Sequence, residues 1–250
     1  MAGRRAPARP PLPRSRHFLR SRSLASAIVA GADVRASDLV VDIGAGSGRL
    51  TAELARVARR VVAIELDPRL AASLRDRWSN VTVVEGDALT VTLPDEPFRV
   101  VANIPFAHTN ELLHRLLDDP RLPLTRADLV VEWGVAVKRG LPAPSTVNSV
   151  LWGALYELRV ERKLPPSMFE PPPTCDAGLL VATRRTRPLV PIQQLPAYRR
   201  FVADAFRRGR RVRGALPREL DAHQWAECYA RNLAIGSRTS AGPRRSGLWR

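Results

Sequence analysis

Three short segments hold residues whose types and order suit chemistry on a nucleoside. The first is Asp42-Ile43-Gly44-Ala45-Gly46-Ser47-Gly48, which follows the apolar run Leu39 to Ile43 and precedes a helical pattern, Arg49 to Ala58. Glycines at such a turn let the backbone bend sharply and approach a ligand that a Cβ would exclude. Their spacing is G-x-G-x-G. The dinucleotide fingerprint G-x-G-x-x-G would need a glycine where Arg49 stands, so a pyrophosphate binder is disfavoured. Glu65 ends the next strand, close to the roughly 20-residue spacing at which a carboxylate meets a ribose diol in such folds. Asp87, in Gly86-Asp87-Ala88 after the third strand, is placed to accept from an adenine amino group, and Ala88 offers a backbone amide to the ring nitrogen.

The third segment is Asn103-Ile104-Pro105-Phe106, at the end of a fourth strand. An exocyclic amine of adenine is a poor nucleophile because its lone pair is delocalised into the ring. The Asn103 side-chain carbonyl and the Ile104 backbone carbonyl, both accepting from that amine, would favour a pyramidal nitrogen and aim its lone pair at an electrophilic methyl. Pro105 fixes the backbone and donates nothing that competes. Phe106 can stack on an extruded base, a contact worth about 1 to 3 kcal/mol.

Positioning these segments requires a particular frame. From about residue 38 to 184, short apolar runs alternate with helix-length segments, the sign of a parallel sheet covered by helices. Strands are expected at Leu39–Ile43, Val61–Glu65, Val81–Glu85, Arg99–Asn103, Leu129–Trp133, Glu157–Arg162 and Gly178–Thr183. Helices are expected at Arg49–Ala58, Pro68–Trp78, Asn110–Leu117 and Val147–Tyr156, with Asp67-Pro68 supplying an N-cap and a proline at the first helical position. No helix separates the last two strands, which implies an antiparallel pair at the sheet edge. After a Pro/Gln stretch at Pro188 to Pro196, two more helices are expected at Ala197–Phe206 and Glu219–Asn232, with Arg207, Arg208, Arg210, Arg211 and Arg213 in a basic turn between them.

The 250 residues are 45% hydrophobic and 26% charged, ordinary for a packed globular chain. Forty basic against 24 acidic residues give a net charge of +16, and all but two of the cations, Lys138 and Lys163, are arginine. Such a surface suits a polyanion, and the guanidinium fork suits phosphate. Cys175 and Cys228 have no metal-ligand spacing, and the four histidines are scattered, so neither a disulfide framework nor a metal site is expected. No apolar run approaches the roughly 18 residues of a membrane span. The arginine-rich N-terminus superficially suits a transit peptide, but Pro7, Pro10, Pro11 and Pro13 would break its helix. A cytoplasmic protein is expected.

These motifs resemble those of the rRNA adenine-N6 methyltransferases, a family that holds the Erm antibiotic-resistance enzymes and the small-subunit dimethyladenosine transferases. Further matches are His17-Phe18-Leu19, similar to a Gln-Asn-Phe-Leu segment, and Phe169-Glu170-Pro171-Pro172-Pro173, similar to an F-x-P-x-P segment beside the target base. Arg16-His17, Glu132-Trp133 and Thr174-Cys175 depart from the pattern. The resemblance implies an α/β fold, a Rossmann-like class I methyltransferase with a seven-stranded sheet and a small C-terminal helical domain. The resemblance covers residues from about 16 to 184, and with the composition it gives a basic arm at 1–23, a catalytic domain at 24–185, a helical RNA-binding domain at 186–235 and a disordered basic tail at 236–250. The implied cofactor is S-adenosyl-L-methionine (AdoMet), held by His17, Leu19, Gly44, Ala45, Gly46, Gly48, Glu65, Leu66, Asp87, Ala88 and Asn103. Asn103, Ile104, Pro105 and Phe106 would be catalytic, and Phe106, Phe169, Arg207, Arg208, Arg210 and Arg211 would meet RNA. The implied activity is Erm-like, on one adenine of the peptidyl-transferase loop of protein-free or nascent 23S rRNA, by a monomer, giving macrolide, lincosamide and streptogramin B resistance. Two alternatives are a 16S rRNA dimethyladenosine transferase of ribosome assembly and a non-catalytic nucleic-acid-binding factor on the same fold.

Overall fold

The computed structural model of the chain describes residues 17–209 and 214–240. In chain order its elements are β1 (Phe18–Leu19), α1 (Arg22–Gly31), β2 (Leu39–Ile43), α2 (Arg49–Val57), β3 (Arg60–Glu65), α3 (Pro68–Leu74), β4 (Val81–Glu85), β5 (Phe98–Asn103), α4 (Thr109–Leu117), β6 (Leu124–Glu132), α5 (Trp133–Gly140), α6 (Val147–Leu155), β7 (Tyr156–Leu164), β8 (Phe169–Glu170), β9 (Ala177–Arg184), α7 (Leu195–Arg208) and α8 (Ala222–Ser240).

Seven strands form one sheet in the order β4-β3-β2-β5-β6-β9-β7. Neighbours from β4 through β6 are parallel, whereas β9 runs antiparallel to both β6 and β7. All five residues of β2 are buried, which is why the run reads as continuously apolar up to Asp42: helices cover both faces. On one face Val41, Val100 and Leu129 pack with Leu112, Leu113 and Leu116 of α4 and Trp152 of α6. On the other, Val40, Val61 and Val101 meet Ile28 of α1 and Leu50 and Leu54 of α2. The chain passes from β2 outward through β3 and β4, then returns to β5 on the other side of β2. Strand order therefore reverses between β2 and β5, and a crevice opens at their carboxyl ends, where ligands bind in such sheets.

Several features depart from the sequence reading: β6 begins five residues before the expected Leu129 and yields Trp133 to a helix, and α8 begins at Ala222 rather than Glu219. Helix α5 occupies Trp133–Gly140, a glycine-bearing, valine-rich segment with weak helical propensity. It forms because it packs on β9: a Cβ at Gly178 would sit 2.7 Å from Ala136 Cβ and 3.0 Å from Trp133 Cε3. Helix α3 stops at Leu74 instead of Trp78, because Arg75 is already extended (ψ 144°) and Asp76 takes a left-handed φ of 59°.

Helices α7 and α8 share a third core with α6, in which Tyr198, Val202, Trp225 and Tyr229 pack against Val150, Leu151 and Ala154. Helix α8 continues through Ser240, past the boundary expected at 235. The expected arm at 1–23 lies outside the described residues up to Arg16; its remainder is ordered, with β1 pairing antiparallel to β8 and Ser21 capping α1 through the Leu24 amide.

Candidate active site

The glycine loop leaves β2 and returns its first amides to the neighbouring strand: Gly44 and Ala45 both donate to the Ile64 carbonyl, at 2.8 and 3.1 Å. Gly44 and Gly46 take left-handed φ values of 71° and 57°. At Gly46 the side-chain space is already taken, since a Cβ would lie 2.6 Å from Phe18 Cε1. The Gly46 amide donates to Glu65 Oε2 at 2.8 Å and the Asp67 amide to Oε1 at 2.8 Å, so two backbone donors fix the Glu65 carboxylate beside the loop. Asp67 caps α3 through the Arg69 amide, leaving Glu65 for the cavity wall.

Beneath the loop, Asp42 is 1% exposed and accepts from Thr51 Oγ1 at 2.7 Å. Burial, with the charge of Glu65 adding to it, pushes the Asp42 carboxyl up to about 7. Neither Asp42 nor Thr51 carries a role in the sequence reading, although an acid closing an apolar strand was a visible signal for one.

At the end of β4, the Gly86 amide donates to the Glu65 carbonyl, and exposed Asp87 accepts from the Leu89 amide at 2.8 Å. At the end of β5, Asn103 Nδ2 donates to the His17 carbonyl at 2.6 Å, and Asn103 Oδ1 is buried with no hydrogen-bond partner. Pro105 leads into a 3-10 turn, Phe106–His108, and the half-buried Phe106 ring lies 5.6 Å from the His17 ring and 6.5 Å, edge-on, from Phe169. His17 Nδ1 bonds the Pro171 carbonyl at 2.9 Å, tying the chain start to the Pro-rich segment.

One cavity gathers His17, Gly44, Gly46, Glu65, Leu66, Asp87, Ala88, Asn103, Ile104, Pro105 and Phe106 at the crevice predicted by the strand order. Phe18, Gly86, Leu89, His108 and Leu112 also line it and were not foreseen. Three expected cofactor contacts do not. Leu19 is 3% exposed, with its side chain in the core; Ala45 packs against Ala63 and Leu74; and Gly48 caps α2 and faces Leu74 and Trp78. Phe169 is a correction of another kind: at 1% exposure it backs Phe106 from within the core and presents no face to a base. Arg207 and Arg208, at the end of α7, pair with Asp204 at 3.7 and 2.8 Å, while Arg210 and Arg211 lie outside the described residues. Among the described residues no cluster of three or more His, Cys, Asp or Glu is placed to hold a metal, and no helix is long and apolar enough to cross a membrane.

The arrangement suits a nucleoside-bearing methyl donor: the Gly44 and Gly46 backbone borders the cavity, a carboxylate fixed by two amides stands beside it, and Asn103, with its unpartnered carbonyl oxygen, lines the same cavity. Residues 14–238 match the family described as ribosomal RNA adenine dimethylase. The chain is 36% identical over 183 residues, 72% of either chain, to an rRNA adenine N-6-methyltransferase of Corynebacterium diphtheriae. It is 31% identical to the mycinamicin-resistance protein MyrB of Micromonospora griseorubida, covering 91% of this chain and 81% of that one. The crystal structure of the 23S rRNA methyltransferase ErmE superposes with a TM-score of 0.76 at 30% identity, covering 86% of this chain and 98% of that chain.

Proposed function

The chain belongs to the ribosomal RNA adenine dimethylase family and is an rRNA adenine N6-methyltransferase, and from that premise we propose that it transfers methyl groups from AdoMet to N6 of one adenine in the peptidyl-transferase loop of 23S rRNA. Methylation there confers macrolide, lincosamide and streptogramin B resistance. In this reading the chain works as a monomer in the cytoplasm, on protein-free or nascent rRNA. The likeness to MyrB and ErmE supports 23S over 16S rRNA as the target.

AdoMet supplies a sulfonium-bound, electrophilic methyl group. The Gly44 and Gly46 backbone and the Glu65 carboxylate would hold its nucleoside and methionine parts, with Asp87 and the Ala88 amide toward the adenine. The observation that carries the reading is Asn103: a buried carbonyl oxygen without a donor costs about 1 to 3 kcal/mol, and an adenine N6 amine supplies that donor. Accepting one N–H at Oδ1, and another at the Ile104 carbonyl, localises the amine lone pair for in-line attack. The proton is lost afterwards, once the nitrogen is cationic and acidic, so no basic side chain is needed beforehand. Phe106 stacks on the flipped base, and Phe169 behind it keeps the ring from retreating. Catalysis is then chiefly orientation and dipole placement.

The test is transfer of radiolabelled methyl from AdoMet onto protein-free 23S and, in parallel, 16S rRNA, with primer extension to locate the modified base. Label at one adenine of the 23S peptidyl-transferase loop is expected. Label near the 16S 3′ end would reassign the enzyme to small-subunit assembly.

A further inference from the structure

Outside the reaction cavity, a broad groove runs down one face of α2, from Ser47 and Gly48 at its start past Ala52 to Arg56. Arg22 of α1 borders it on one side, and Arg77 and Trp78 of the turn after α3 on the other. Four guanidinium groups, those of Arg22, Arg49, Arg56 and Arg77, face one carboxylate, Glu53. Glu53 is committed to Arg22 at 2.7 Å, and the Arg49 guanidinium donates to the Leu19 carbonyl. Between α2 and β4, Arg59 and Arg60 share Glu96 and Arg75 pairs with Glu85, whereas exposed Arg69 has no carboxylate partner among the described residues. Arg56 and Arg77 have no carboxylate partner among the described residues. Arg77 instead lies over the half-buried Trp78 ring, 4.5 Å from its centroid, offering a flat cationic surface to a stacking base.

Position gives the groove a purpose. Arg49 holds the carbonyl of Leu19, and the two residues before Leu19, His17 and Phe18, line the reaction cavity. Groove and cavity thus adjoin at β1 and at the glycine loop, whose Gly44 and Gly46 line the cavity and whose Ser47 and Gly48 line the groove. We propose that the α2 groove is a second contact surface for the rRNA substrate, where Arg56 takes a phosphate of the strand flanking the target adenosine and Arg77 stacks on one of its bases. This rests on the rRNA reading above and extends it: the cavity selects the base, and the groove holds the neighbouring backbone.

The test uses the full chain carrying Arg56→Glu and Arg77→Glu together, with Arg56→Gln and Arg77→Gln as a milder pair and Arg121→Glu as a control. Arg121 lies in the turn before β6, at the opposite end of the sheet from the cavity. Binding to a 23S rRNA fragment that the wild type methylates is measured across a salt series. The charge-reversed pair should bind at least about tenfold more weakly, with the slope of log Kd against log salt reduced by about 0.7 for each phosphate that is no longer neutralised. KM for RNA should rise by the same factor, with AdoMet affinity, thermal midpoint and kcat at saturating RNA as in the wild type. Unchanged affinity and slope, with normal methylation, overturn the groove assignment and leave the rRNA reading standing. An equal loss from Arg121→Glu also overturns it, since the effect would then be one of overall charge. A wild-type chain that neither binds nor methylates the fragment overturns the rRNA reading and the groove with it.

Discussion

Asn103 Nδ2 donates to the backbone carbonyl of His17 at 2.6 Å, and this bond decides which way the amide faces. With the nitrogen committed to the chain start, Oδ1 is the acceptor left over, buried and without a partner in a residue that lines the cavity. The orientation of a group at the end of β5 therefore depends on a two-residue strand, β1, held by β8 and by the His17 bond to Pro171.

Gly46→Ala tests the loop. The new Cβ would meet Phe18 Cε1 at 2.6 Å, in a backbone region that costs a non-glycine residue roughly 1 to 2 kcal/mol. AdoMet affinity, measured by calorimetric titration, should fall at least about tenfold, while circular dichroism reports an intact fold.

Phe106 and Phe169 should separate sharply despite their contact. Phe106→Leu removes stacking worth about 1 to 3 kcal/mol, so kcat/KM for RNA should fall by roughly 5- to 150-fold with the thermal midpoint nearly unmoved. Phe169→Ala empties a core site instead and should cost about 3 to 5 kcal/mol of stability, seen as a lower denaturant midpoint.

Asp42 makes stability depend on pH. Its folded pKa is raised, from 3.8 to about 7, so the folded state holds the proton more tightly than the unfolded chain. Stability from this group is present below about pH 4 and is lost as pH rises toward 7, by at most about 4 kcal/mol. Asp42→Asn keeps an acceptor for Thr51 and removes the ionisation. Its thermal midpoint relative to wild type should climb between pH 4 and 7 and level off above; a difference independent of pH would contradict the assignment.

Much of this was legible in the residues. The runs Leu39–Ile43 and Val81–Glu85 match their strands end to end, because strands covered on both faces or flanked by turn residues announce themselves in composition. The missing helix between β7 and β9 correctly implied an antiparallel edge. What stayed hidden depends on tertiary contact: α5 exists through the space left at Gly178, and β1 and β8 are too short to show alternation. The glycine motif located the loop but not which glycines face the ligand; Gly44 and Gly46 line the cavity, and Gly48 turns to α3. Phe169 was placed by its motif beside the target base, but a motif carries no burial, and the ring proves to be one layer behind.

The most direct measurement compares wild type and Asn103→Ala for AdoMet binding and for single-turnover methyl transfer to the 23S fragment. At AdoMet concentrations that saturate each protein, the variant should transfer at least about a hundredfold more slowly, the usual loss when one oriented catalytic dipole is removed. Transfer at the wild-type rate by Asn103→Ala would contradict the central claim that this carbonyl activates the adenine amine.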